Sequence, residues 1–215
     1  MTAHRSLARR AAATAAVVTA AVVLAACGSN DKGSGHSGHD MGSMSSAPSA
    51  SASTSAGAHN AQDVAFAQGM IPHHRQAVAM ADLAPSRGKS QKVRDLASKI
   101  KKAQDPEITT MSGWLKAWGE KVPAGNMPSM EGMDHSTHDM PGMMSGGDMA
   151  KLKKLSGAKF DTAFLQMMVQ HHQGAIKMAK TEQAKGSYGP AKSLAKSIIS
   201  SQSAEITQMN KMLGS

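Results

Sequence analysis

The chain has 215 residues, 40% of them hydrophobic and 18% charged, and a formal net charge of +9 at pH 7. A basic balance can serve nucleic acid, but such a surface needs aromatic platforms among its cations, and three Phe, two Trp and one Tyr are too few to argue for one. One Cys against 18 Met excludes internal disulfides and multi-cysteine zinc sites, and leaves thioethers as the abundant sulfur.

Residues 1–27 read as an export signal. Arg5, Arg9 and Arg10 give a positive start, and Ala11 to Ala21 is a small apolar stretch too short to span a membrane. Leu24-Ala25-Ala26-Cys27 resembles a bacterial lipobox, which implies that Cys27 is lipidated and begins the mature chain; an ordinary secretory signal with an incidental Cys is the alternative. Removing the three signal arginines lowers the charge from +9 to about +6. The remaining lysines are spread along the expected helices as solvated faces, and a basic face could lie against anionic lipid near the anchor. Residues 28–60 are rich in Ser, Gly and Ala with almost no large apolar side chain, so they read as a tether.

Residues 61–215 read as one helical domain built on an internal repeat. Asp63 to Leu115 lies over Asp161 to Leu213 at a constant offset of 98, with 20 identities and no gap. Each copy predicts two helices. Phe66, Met70, His73, Ala77 and Met80 recur on one face of the first, as do Phe164, Met168, His171, Ala175 and Met178 in the second copy. The partner helices carry Leu96, Ile100, Gln104, Glu107, Met111 and Leu115, matched by Leu194, Ile198, Gln202, Glu205, Met209 and Leu213. Breaks at Pro85 to Gly88 and Lys185 to Gly189 separate the helices of each hairpin. Neither hairpin can cover its own apolar stripe. Together they predict an all-α four-helix bundle with pseudo-two-fold symmetry, ferritin-like in its long crossover from the second helix to the third. Pro72 and Pro106, found only in the first copy, predict local kinks, with a helix start at Pro72 as the competing reading.

The crossover, residues 116–160, holds Pro123, Pro128, Pro141 and several glycines, so most of it reads as loop, with a short helix over Asp148 to Leu155. Met127, Met130, Met133, Met140, Met143, Met144 and Met149 crowd into it with His135 and His138. Methionines this dense in a Gly- and Pro-rich loop are not expected to be core packing. Thioethers favour Cu(I) or Ag(I), and imidazole extends the range to Cu(II). The pattern resembles the Met/His-rich loops of periplasmic copper-resistance proteins, and His36, His39, Asp40, Met41 and Met44 repeat it faintly in the tether. A compositionally drifted loop or a sacrificial oxidation sink is the alternative.

Within the repeats, His73 and Glu107 fall on stripes that should face the bundle axis, where a charge needs a partner or a bound cation. Adjacent helical residues point about 100° apart, so His73 and His74 cannot chelate one ion from the same side. The candidate metal ligands are His73, His74, Met80, Glu107 and Met111, with their copies His171, His172, Met178, Glu205 and Met209. Met127, Met130, Met133, His135, His138, Met140, Met143 and Met144 are the loop candidates. Glu107 and Glu205 could bind directly or orient an imidazole. Plainer readings are core histidines, methionine as filler, Glu107 paired with Arg75 or a lysine, and a structural His–Glu hydrogen bond across the bundle. Asp63 and Asp161 are duplicated too, but ten residues before the His pairs they read as helix starts.

Gly69 to Ala81 and Phe164 to Ala179 share His-His-x-x-Ala-x-x-Met-Ala. These segments resemble the signature of the domain of unknown function 305 family, over about residues 60–214. The resemblance implies a ferritin-like helical bundle, usually exported, with some members linked to copper binding and tolerance. The expectation is an envelope lipoprotein on the outer face of the cell membrane that binds copper, or another transition metal, for sequestration or delivery rather than turnover. A ferritin-like metal oxidase is a second reading, although one matched Glu per repeat supplies few carboxylates. A metal-free interaction module is the third.

Overall fold

The computed structural model describes residues 58–124 and 140–214. Its helices in chain order are α1 (Ala61–Ala81), α2 (Ala84–Arg87), α3 (Gln91–Ala117), α4 (Gly146–Lys154), α5 (Gly157–Lys185) and α6 (Gly189–Leu213). The signal, the lipobox Cys27, the tether as far as residue 57, and the loop candidates Met127, Met130, Met133, His135 and His138 lie outside the described residues. No helix among the described residues is long and apolar enough to cross a membrane.

The start of α1 is set by a reciprocal cap. The Asn60 side chain accepts from the Gln62 and Asp63 N–H groups, and the Asp63 carboxylate accepts from the Asn60 N–H. α1 then runs through Pro72, and α3 through Pro106, so the helix start considered at Pro72 does not occur. An interior Pro costs a helix about 3 kcal/mol. Here both helices bury a long apolar stripe on each side of their Pro, which outweighs that penalty. At the opposite end of the chain, Pro190 opens α6 and Gly214, at φ 84°, closes it in the left-handed conformation that suits glycine.

α1 packs on α3 and α5 on α6, as the hairpins require, and the two hairpins meet chiefly through α1 and α5. The interior is divided into two apolar clusters. One gathers Met80, Val93, Leu96, Phe160, Phe164 and Met209. The other gathers Phe66, Ile71, Met111, Leu115, Ala175 and Ile198. All four long helices contribute to both. α1 passes from the second cluster to the first and α5 from the first to the second, so they run antiparallel. Where each helix crosses from one cluster to the other it carries buried polar side chains: His73, His74 and Gln76 on α1, Gln104 on α3, His171 and His172 on α5, and Gln202 on α6. The bundle is thus two apolar halves with a polar layer between them.

The crossover differs from expectation at two methionines, one of which, Met144, is partly buried against the first cluster. Met149 belongs to the core, 7% exposed on α4, where it packs with Leu152 in the first cluster. The helix gives it the periodic face that a loop would lack.

Candidate metal centre

The polar layer is built by duplication. α1 and α5 bring His73 and His171 face to face, with ring centroids 3.7 Å apart and planes inclined at 42°. One residue on, His74 and His172 turn instead to the other helix of their own hairpin. His74 Nε2 lies 2.6 Å from Glu107 Oε2, and His172 Nε2 lies 2.6 Å from Glu205 Oε2. Adjacent histidines therefore diverge, as helix geometry demands. Glu107 pairs with His74 and not with Arg75, whose guanidinium donates to the carbonyls of Pro123 and Ala124.

The fourth contact comes from the crossover. His73 Nε2 donates to the Pro141 carbonyl at 3.1 Å. That carbonyl belongs to the re-entering segment 140–144, which lies as a strap over α1 and α5. Gln76 clamps it through both ends of its amide, donating to the Met144 carbonyl at 2.9 Å and accepting from the Met144 N–H at 2.7 Å. Gly174 makes the seat, because a Cβ there would meet the Pro141 oxygen at 1.8 Å. Gly142 turns the chain at φ 80°, tight against the backbone of Gln170 and Gly174.

The oxygen partners set the chemistry of the rings. A neutral imidazole that donates from Nε2 carries its lone pair on Nδ1. In His73, His74 and His172 that Nδ1 is buried and has no partner among the described residues, and in His171 both nitrogens are buried and unpartnered among them. An unpaired buried polar atom costs about 1–3 kcal/mol. Five of them at one level of a bundle require an explanation, and an ion-binding role is one that fits. Burial, with His74 adding to it, pushes the His73 pKa down to about 3, and burial together with the nearby His73 holds His171 well below its ordinary value. Near neutral pH both rings are uncharged, so their lone pairs are open to a cation other than a proton. An imidazole that binds metal through one nitrogen and donates from the other to a carboxylate or carbonyl is the arrangement that metal sites use.

The methionine candidates are distributed differently. Met80 and Met209 sit in the first apolar cluster, Met111 in the second, and Met178 packs against the second. Met80 follows His73 by seven residues, about 10 Å along the axis, so its backbone lies well outside the layer. Met70 and Met168 precede His73 and His171 by only three residues and are fully buried. They lie on the predicted helix stripes outside the candidate ligand set, and their duplication is the sequence signal that marks them. Among the described residues, no group of three or more His, Cys, Asp or Glu side chains could hold a metal ion. A metal in this layer would therefore combine imidazole with thioether sulfur.

Asp63 lies in the first turn of α1, as expected, whereas Asp161 is the fifth residue of α5 and does not begin it; both have a further role. Asp63 on α1 accepts from the N–H groups of Ser187 and Tyr188, just ahead of α6. Asp161 on α5 accepts from those of Lys89 and Ser90, just ahead of α3. Each hairpin thus ties down the second helix of the other.

The family model described as Domain of unknown function (DUF305) matches residues 63–213. Comparison with curated proteins found no match. Among solved structures the chain is similar to a "putative secreted protein DUF305" from Streptomyces coelicolor, at 33% identity over 71% of this chain and 92% of that one, with a TM-score of 0.63. It is similar to a DUF305 fragment from Deinococcus radiodurans, at 30% identity over 72% of this chain and 97% of that one, TM-score 0.63. It is also similar to CopM in a Cu(II)-bound form, at 34% identity over 70% of this chain and 94% of that one, TM-score 0.59; CopM has Cu(I)-bound and Ag-bound forms as well. With the family model spanning both repeats and the layer between them, this chain belongs to the DUF305 family.

Proposed function

We propose that this chain binds copper ions in the cell envelope, for sequestration or delivery. The observation that carries the reading is the set of five buried, unpartnered imidazole nitrogens at mid-bundle, three of them on rings whose other nitrogen faces an oxygen acceptor. His73, His74, His171 and His172 would supply nitrogen. Glu107 and Glu205 would orient His74 and His172, since Oε2 of each already holds its imidazole. Thioethers would come from the duplicated methionines, with Met70 and Met168 within about a turn of the layer histidines and Met80, Met111, Met178 and Met209 further from it. Imidazole with thioether suits copper in either oxidation state and suits Cu(I) best. The copper- and silver-bound forms of CopM support this choice of ion.

The crossover methionines and histidines, Met127, Met130, Met133, His135, His138, Met140, Met143 and Met144, would capture the ion from solution. Export through residues 1–27 and anchoring through a lipid on Cys27 would put the bundle outside the cell membrane, and the description of the Streptomyces relative as secreted supports export. A metal-oxidase reading has less support, because the layer offers two carboxylates and both are engaged. A metal-free module is favoured by the same two His–Glu bonds, which stabilise the bundle without an ion, but it leaves the bare nitrogens without an account.

Anaerobic Cu(I) titration against a chromogenic chelator tests the reading. The full chain should bind more Cu(I) than the crossover residues account for, and a His73→Asn/His171→Asn double variant should lose that excess. If the double variant, with the crossover methionines replaced by leucine, matches the affinity and stoichiometry of its His-bearing parent, the bundle site does not exist.

A further inference from the structure

Two of the positions at which the copies of the repeat differ bear on the strap. Gly69 stands where the second copy has Met167, and Gln76 stands where the second copy has Gly174. The Gln76 and Gly174 exchange seats the strap, as described above. The Gly69 exchange opens a space beside it. A Cβ at Gly69 would lie 3.0 Å from Met178 Cε and 3.7 Å from Met140 Sδ. Two thioether side chains, one from α5 and one from the crossover, thus both approach a position where the other repeat carries a full methionine. Gly69 is four residues before His73, so this position is on the same face of α1, one turn away. The next residue after Met140 is Pro141, whose carbonyl accepts from His73 Nε2 and leaves Nδ1 as the bare nitrogen of a neutral ring.

The geometry points to a distinct soft-cation site made of Met140, Met178 and His73, two thioethers and one imidazole, closed by the strap. The inference rests on the copper reading above and assigns it a particular ligand set. It differs from the layer as a whole in three ways. It is one-sided, because among the described residues the strap 140–144 lies beside His73 and not beside Nε2 of His171. It takes its second sulfur from the crossover, so it joins the Met-rich loop to the buried histidines. It uses the Pro141 carbonyl to hold the tautomer of His73, as an outer-shell partner does in metal sites. Two thioethers and a neutral imidazole carry no charge, so the site suits a monovalent soft ion such as Cu(I) or Ag(I) and disfavours a hard divalent one. His171, related to His73 by the repeat, has no carbonyl on its Nε2 and would stand outside this set.

The test is Ag(I) titration of the full chain labelled with methyl-13C methionine and ring-15N histidine, with Met140→Leu, Met178→Leu and Gly69→Met variants. Ag(I) is redox-silent and isolates coordination from oxidation. The Met140 and Met178 methyl signals should shift together, over the same equivalent as His73 Nδ1. Met140→Leu should weaken the response of Met178 at least tenfold, while circular dichroism shows the fold retained. Gly69→Met, which gives the first copy the residue of the second, should abolish the shared shift. If Met140 and Met178 titrate over different equivalents, or Met178→Leu leaves the Met140 response unchanged, this site is overturned even if other histidines bind silver and the copper reading stands. If no histidine or methionine responds at all, both fail together.

Discussion

Replacing Gly174 by Ala isolates the strap from every other feature of the bundle. In a helix interior Gly→Ala normally stabilises, by about 1 kcal/mol. At position 174 the new Cβ would sit 1.8 Å from the Pro141 oxygen, 2.4 Å from its carbonyl carbon and 2.7 Å from Gly142 Cα, all of them backbone atoms that cannot swing aside. The strap must lift. Lifting it breaks the His73–Pro141 bond and both Gln76–Met144 bonds. At about 1 kcal/mol each these total about 3 kcal/mol. Subtracting the propensity gain leaves a net loss of about 2 kcal/mol. For a domain of this size each kcal/mol moves Tm by roughly 2–4 °C, so Gly174→Ala should melt about 4–8 °C below wild type. Gly113→Ala is the control: Gly113 is an exposed position inside α3 with nothing among the described residues within 4 Å of a new Cβ, and the change should raise Tm by roughly 2–4 °C. Thermal melts by circular dichroism decide it. If both variants gain stability, the strap is not seated on Gly174, and the account of His73 Nε2 falls with it.

Other perturbations read other parts. Glu107→Ala leaves the buried His74 Nε2 without its acceptor and should lower the urea-derived unfolding free energy by about 1–3 kcal/mol, with Glu205→Ala matching it at the second copy; an unchanged midpoint for both would deny those bonds any structural weight. Glu182, fully buried near Asp63, has its pKa raised to about 8 by burial first and by Asp63 next. A raised acid favours folding fully below its unfolded value near 4.5, and that contribution fades as pH climbs through 8. Glu182→Gln should therefore flatten the fall in Tm between about pH 5 and pH 8, and an unaltered slope would exclude Glu182 as its source. Cys27→Ser should move the chain from the membrane fraction to the soluble fraction of fractionated cells, while retention in the membrane would refute the lipid anchor.

Much of the frame was legible because the sequence wrote it twice. The offset of 98 marked both hairpins, and His73 with Glu107 stood at the one level of each stripe where apolar residues give way. The divergence of His73 from His74 followed from helix geometry alone. What could not be read depended on contacts between segments far apart in the chain. The strap rests on Gln76 and Gly174, which are not duplicated, and a glycine in mid-helix says nothing of the carbonyl that will lie on it until the crossover is placed. The ties from Asp63 to Ser187 and from Asp161 to Lys89 span 124 and 72 residues, and no local pattern encodes them. Met149 was misread because its neighbours in sequence are loop methionines, whereas its neighbours in space are Leu152 and the core.

The repeat also explains why the layer is not symmetric. Two identical hairpins would present two identical histidine pairs, and two of the contacts do match, His74 with Glu107 and His172 with Glu205, both at 2.6 Å. A chain has only one crossover between its hairpins, however, and one crossover can cover only one of the two faces related by the pseudo-two-fold. The differences between the two copies match that constraint. The covered face carries Gly69 beside the Met140 and Met178 side chains, Gln76 to clamp the strap and Gly174 to receive it, while the positions related to Gly69 and Gln76 hold Met167 and Gly174. The consequence is chemical. His73 keeps one bare nitrogen and His171 keeps two, with the rings in contact at 3.7 Å. Duplication built the pair, and the single crossover made its members different.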